Sequence, residues 1–466
     1  LRRRAAESKA LRHDSPAPHG GLLLPVTSCA DDGGSGTLRH VALVASTGDT
    51  IDLSGLTCST ITLESGAVNI DVEDLTVMGP GATALAIDGN GADRIFRHSG
   101  TGTLELSYLT VTNGSYTVVT GVGYGGGCVY SKGTISLTEA VVSSCTATGD
   151  IQAVGGGMLA RDGIAMFGST IKDSKAIALT GTTGLAVVAG GAFAVYSFTL
   201  EHSTISGNSV TTPFGKSYAG GMFASSGVTA KYSTVTGNSA TTGNAPGSGY
   251  YAIGGGLIAK DPIIQNCTID NNSADAAAGV YLLTNDPGYS ALITNTTISG
   301  NHAALVAGGM FTEGDLRLRN STIAFNVGGA AGGGGLIVGG TTTDLESNII
   351  ADNSPSGVSG AADFDGSSIV TGANNLIKIA GAAITVPPDT ITQDPQLGPL
   401  AANGGETRTH AIPATSPAFD AGNNNAGALY DQRGPGFARE VGASADIGAY
   451  EFDADIIFVD GFDISG

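Results

Sequence analysis

Short apolar stretches, separated by polar or glycine punctuation, recur along the chain at a loose but persistent interval. The clearest copies begin at Ser203, Ser233, Cys267, Thr296 and Ser321 and read STISGNSV, STVTGNSA, CTIDNNSA, TTISGNHA and STIAFNVG. Weaker copies begin at Tyr108, Ala140, Ser169 and Ser347, so successive starts lie 32, 29, 34, 30, 34, 29, 25 and 26 residues apart. The third position reads Thr110, Val142, Ile171, Ile205, Val235, Ile269, Ile298, Ile323 and Ile349. The sixth reads Asn113, Cys145, Ser174, Asn208, Asn238, Asn272, Asn301, Asn326 and Asp352. A second motif sets a glycine run before apolar residues: GGGCVY from Gly125, GGGMLA from Gly155, GGAFAV from Gly190, GGMFAS from Gly220, GGGLIA from Gly254, GGMFTE from Gly308 and GGGLIV from Gly333.

A unit of this size cannot bury its apolar positions alone, so it must stack on its neighbours. Stacked at the inter-strand spacing of about 4.8 Å, equivalent positions superpose. The third position becomes a buried aliphatic column. The sixth becomes a ladder of side-chain amides, formed by Asn208, Asn238, Asn272, Asn301 and Asn326. Glycine serves corners that need a positive φ or a close backbone approach. The pattern predicts an all-β, parallel β-helix, with insertions at residues 211–218 and 241–250 as loops. Helical solenoids are disfavoured, because the units lack a 3.6-residue period and 73 of 466 residues are Gly.

Solenoid ends need covering. Residues 35–46 predict a helix with Ser35 as N-cap and Leu38, Val41, Ala42 and Ala45 on one face, a plug for the N-terminal end. The repeat stops near residue 380, where prolines crowd. The organisation read from this is a basic arm at 1–24, a β-helix at 25–380, an irregular C-terminal cap at 381–452 and a tail at 453–466.

Charge and cysteines narrow the setting. The chain carries 21 basic and 41 acidic residues, net −20, and five of the basic ones fall within the first 20 residues. The acidic body disfavours nucleic acid as a partner. The opposed charge of arm and body suggests an electrostatic contact between subunits. No apolar run is long enough to span a membrane as a helix. Cys29 and Cys58 flank one N-terminal unit and are expected to pair, which implies an oxidising compartment; Cys128 with Cys145 is the second candidate pair. Cys267 is then a small buried hydrophobe. The first residues lack the apolar core of a secretory signal, so a leader already removed, or a pro-segment, is expected.

The segments SCADDGGSGTLRHVALVASTGDTIDLS and LTVMGPGATALAIDGNGADRIFR, with the STIxxN and GGx[FML] motifs, resemble bacterial secreted right-handed β-helix proteins. The glycine-aliphatic motif is also similar to polymorphic outer membrane protein repeats. DPQLGPLAANGGETRTHAIPATSPAFDAG, DQRGPGFAREVG and ADIGAYE resemble the choice-of-anchor Q domain, and the terminal IIFVDGFD resembles a tail of secreted proteobacterial proteins. The resemblance spans about residues 25–452 and implies the right-handed fold and export to the extracellular space or outer surface. It implies no particular activity.

Candidate chemistry is sparse. Three residues on from the first residue after each glycine run, a column is read that includes Arg161, Tyr196, Lys260 and Glu313, a candidate outward stripe for an extracellular polysaccharide. His202 and His302 fall in different columns. Asp31 with Asp32, and Asp453, Asp455, Asp460 and Asp463, are the candidates for Ca²⁺; no other cofactor is expected. Arg433 is expected to pair with Asp446 or Glu451 and lock the cap. The absence of a convergent acid–base set points to a non-enzymatic adhesin, receptor-binding or fibre-forming protein. A polysaccharide lyase or glycoside hydrolase is the alternative, which would need a base with a charge-neutralising partner, or paired carboxylates.

Overall fold

A computed structural model describes residues 21–118, 125–180, 186–244, 251–284, 290–329, 333–355 and 362–454. The chain is a right-handed parallel β-helix of about 11 turns. The strands form a 22-stranded wide sheet, two 12-stranded sheets and one two-stranded hairpin. The turn around residue 200 shows the plan. Ala192–Ala194 and Phe198–Glu201 lie in the wide sheet, Thr204–Ser206 in the second and Ser209–Thr212 in the third. Each pairs in parallel with its equivalent one turn on, as in Thr204↔Thr234, Ile205↔Val235 and Ser206↔Thr236. Alternation along each strand sends every other residue inward. The aliphatic column of the second sheet is therefore buried, with Ile171, Ile205, Ile269, Ile298 and Ile323 in one continuous core.

The amide ladder forms as read. The backbone N–H and the Nδ2 of Asn238 both donate to Asn272 Oδ1, at 2.9 and 3.0 Å. The same pair of bonds links Asn208 to Asn238, Asn272 to Asn301, Asn301 to Asn326 and Asn326 to Asn353. Each Nδ2 also reaches the carbonyl of the aliphatic residue one turn back, as Asn238 does to Ile205 at 3.0 Å. The glycine runs fit against this ladder: a Cβ on Gly221 would lie 2.4 Å from the Gly256 carbonyl oxygen and 3.0 Å from the Asn238 amide carbon. Close approach, more than positive φ, is what demands glycine there.

Register at the two ends of the repeat differs from the sequence reading by one residue. Val111, not Thr110, pairs with Val142, so Asn113 is a left-handed corner residue outside the ladder. At the other end Ile350 stacks on Ile323, and Asn353, not Asp352, continues the ladder. Irregular units carry no internal mark of register; only the amide bonds settle it. A second ladder runs along the first position of the repeat, where a hydroxyl accepts from the backbone N–H one turn earlier, as Ser203 Oγ does from Ser169 at 3.2 Å. Cys267 stands in this column, its thiol donating to the Gln265 carbonyl and pushed up to about 12 by burial.

The capping helix spans Leu38–Val44 with Thr37, rather than Ser35, as N-cap. Thr37 Oγ1 accepts from the His40 N–H at 3.3 Å, and Leu38, Val41 and Ala42 plug the core. Both expected disulfides form, Cys29–Cys58 and Cys128–Cys145. Cys145 occupies a ladder position, so the covalent bond ends the ladder column at that turn.

The C-terminal segment does two things. Ala380 and Ile391 bridge to Phe364 and Leu376, and Ile384 enters the core, which covers the last turn. The chain then folds back along the outer face of the second sheet as a strap. Thr268 Oγ1 donates to the Arg408 carbonyl at 2.7 Å, Thr297 Oγ1 to Gln432 Oε1 at 2.6 Å, and the Ala449 N–H to Thr322 Oγ1 at 3.1 Å. Further along, Ile349, Ala351 and Leu376 pack on Ile412, Ala418, Ile447 and Tyr450. Outward positions half-exposed at Thr204 and Thr234 are thus buried from Thr268 onward. Inside the strap Arg433 pairs with Asp431, not with Asp446 or Glu451, and lies between the Phe437 and Tyr450 rings at 4.1 and 4.0 Å. Asp431 is two residues away and already turned inward, whereas Glu451 faces Arg439 and offers Arg433 only its backbone carbonyl.

Asn272→Ala deprives Asn238 of the acceptor for two buried donors and is expected to cost about 2–4 kcal/mol. Asn113→Gly, outside the ladder at a positive φ, is expected to stay within about 0.5 kcal/mol. Equilibrium denaturation of the two variants checks both the ladder and its register.

Candidate functional site

The broadest surface left open by the strap is the outer face of the wide sheet. Its positions follow from the glycine motif. The residue after the glycines points inward, and the next points outward. That outward column reads Tyr130, Leu159, Phe193, Phe223, Ile258, Tyr281, Phe311 and Ile337, each paired to the next. Phe193 stacks on Phe223 with centroids 5.5 Å apart, and Tyr281 on Phe311 at 5.7 Å. Ring faces are spent on neighbouring turns, so this column stiffens the sheet; Leu159 and Ile258 within it are buried and its other members half-buried. It went unnoticed in the sequence although its signal is plain: a large apolar residue two places past the glycines in every unit.

The predicted stripe borders this column. Arg161, Tyr196 and Glu313 are exposed and Lys260 half-buried. The register leads from Arg161 to Val195 and from Lys260 through Leu283 to Glu313, but a bulge in the strand Met222–Lys231 sets Lys260 opposite Gly227 rather than Ser225, so the line is displaced between Arg161 and Lys260. Tyr196 falls one residue off the line, its N–H bonded to the Asp162 carbonyl. At about 4.8 Å per turn, Arg161 and Lys260 stand roughly 14 Å apart along the axis and Lys260 and Glu313 roughly 10 Å. Glu313 accepts from the Tyr281 hydroxyl and, at 3.2 Å, from Thr284 Oγ1. Burial first, then the Glu313 carboxylate, push the Tyr281 phenol well above its ordinary value, so it stays protonated and donates. Tyr281 and Thr284 are the partners that sequence reasoning missed; both lie one turn before Glu313, at a distance no local motif reveals.

The remaining candidates resolve into structural contacts. Asp31 receives Arg39 at 2.8 Å and the N–H groups of Glu64 and Ser65, so its carboxylate anchors the capping helix. Asp455, Asp460, Asp463 and the arm at 1–14 lie outside the described residues. Among the described residues no three His, Cys, Asp or Glu side chains are grouped so as to hold a metal ion. His302 begins an outer strand of the third sheet. His202 sits at a left-handed corner, stacked on Tyr232 at 5.2 Å and bonded through Nδ1 to Glu406 of the strap at 2.5 Å.

No protein-family model matches the chain, and no curated protein does. Among solved structures it is similar to pectate lyase Pel9A, at 13% identity and a TM-score of 0.40, over 93% of this chain and 96% of that one. Likeness at that level concerns the path of the chain and assigns no residue a role.

The hydrogen bond to Glu406 raises the His202 pKa, so the contact is complete below the ordinary histidine value of about 6.5 and is lost as pH rises through the raised one. Amide exchange over residues 404–408, corrected for intrinsic rate, is expected to quicken as pH rises above the ordinary histidine value of about 6.5. In Glu406→Gln that change should vanish.

Proposed function

We propose that the chain is a secreted or cell-surface β-helix protein that binds an extracellular polysaccharide or surface receptor along the wide sheet without cleaving its backbone. The carrying observation is the spacing of the stripe. Glycosidases set two carboxyl groups about 5–9.5 Å apart, whereas this stripe holds a single carboxylate, Glu313, with Lys260 two turns (roughly 10 Å) and Arg161 five turns (roughly 24 Å) away along the axis. Such a line suits contacts to successive units of an extended chain. Two disulfides favour an oxidising compartment. The resemblance of residues 381–452 to choice-of-anchor Q modules, and of the repeat to polymorphic outer membrane proteins, supports export.

The ends favour binding over end-to-end fibres. The first strand, Leu23–Pro25, pairs only with Asp49–Asp52 among the described residues, and Pro25 on that edge lacks an N–H to offer a second copy. At the other end, the edge strand Ile369–Ala373 is interrupted by Gly372 at a φ of +106°.

A panel of uronate-containing and neutral polysaccharides, with and without Ca²⁺, tests the reading. Binding is expected without release of unsaturated products or reducing ends. Lys260→Ala and Arg161→Ala should each weaken binding about three- to tenfold. Product release that either variant abolishes would establish the lyase or hydrolase alternative instead.

A further inference from the structure

Where the strap hairpin, Leu400–Ala401 with Thr409–His410, crosses the second sheet, it leaves a cleft of about 370 Å³. Ser299, Phe325, Arg408 and His410 line it. His410 Nδ1 lies 2.8 Å from the Gly398 carbonyl oxygen, which can only accept, so Nδ1 carries the proton. Nε2 is then a bare lone pair, and it lies 2.8 Å from Ser299 Oγ, whose hydroxyl must donate to it. A hydroxyl on a neutral imidazole, itself held by a third group, is the arrangement that activates a serine nucleophile.

Two neighbours are suited to the same chemistry. Arg408 reaches into the cleft while paired at 2.6 Å with Asp270, whose side chain is fully buried. Among the residues that line the cleft it is the positively charged one, suited to stabilising a developing oxyanion. Phe325, 40% exposed, adopts a φ of +57° in a corner column that elsewhere holds Gly207, Gly237, Asn271 and Gly300. A bulky residue held in that region is strained, and its ring closes one wall of the cleft 5.0 Å from the imidazole.

We propose that Ser299 and His410 form a second site, independent of the wide sheet, that hydrolyses small acyl esters such as the O-acyl substituents of sugars. Ser299 Oγ forms a bond to the ester carbonyl carbon while His410 Nε2 takes the hydroxyl proton. The carbon–alkoxy bond breaks as that proton passes to the leaving alcohol. Water, deprotonated by the same nitrogen, then attacks the acyl-serine and frees the carboxylic acid and the serine. Burial lowers the His410 pKa, which keeps the imidazole neutral and able to accept.

The test uses the full chain with intact disulfides. A fluorophosphonate probe is expected to label the wild-type protein at Ser299, located by peptide mapping, and p-nitrophenyl acetate to be hydrolysed. Ser299→Ala should abolish both, and His410→Gln, which keeps a hydrogen bond to the strap, should slow both by about 10²-fold or more. Absence of label at Ser299 in folded wild-type protein overturns the proposal whatever the variants do. Hydrolysis that persists in Ser299→Ala overturns it as well. Polysaccharide binding by the wide sheet is read separately and is expected to be unchanged in Ser299→Ala.

Discussion

A carboxamide can donate and accept at once, and the structure rests on that property. Each asparagine of the ladder gives two bonds to the turn after it, and each from Asn238 onward receives two from the turn before, all in a buried interior where an unmade bond is costly. The direction never reverses from Asn208 to Asn353, and Asp363, a carboxylate that can only accept when ionised, terminates it at 2.6 Å from the Asn353 N–H. The spacing of the amides fixes the spacing of the turns. It also forces glycine beside them, since a Cβ on Gly221 would collide with the next turn.

The strap follows from what the ladder leaves exposed. A solenoid has one continuous core but several outer faces, and the second sheet presents a flat row of threonines. From Thr268 onward those hydroxyls are bonded to the strap rather than to water. The last outward residues, Ile349, Ala351 and Leu376, are apolar and bury against Ile412, Ile447 and Tyr450. Stability is thereby added sideways as well as along the axis, and the nearest-neighbour description of repeat proteins holds least well where the strap ties several turns together.

The two proposed surfaces obey different physics. The wide sheet repeats every 4.8 Å or so, and a repeating surface suits a repeating ligand. The cleft under the hairpin breaks the repeat. There Ser299, Phe325 and His410 meet from segments that share no periodicity, which is how a site for one small group arises on a fold built for extended ones.

The aliphatic column, the amide ladder, the glycine runs and the plugging helix were all legible in the chain, because each depends on residues at near-constant offsets and on elementary rules of alternation and hydrogen bonding. So was the pairing of Cys29 with Cys58. Register at Asn113 and Asn353, the strap's place along the side, the partnership of Arg433 with Asp431, and the approach of His410 to Ser299 were not. Periodicity fixes which residues superpose within a regular stack. It says nothing about where an irregular segment lies once the stack ends, since that is decided by contacts over more than a hundred residues between groups with no common spacing.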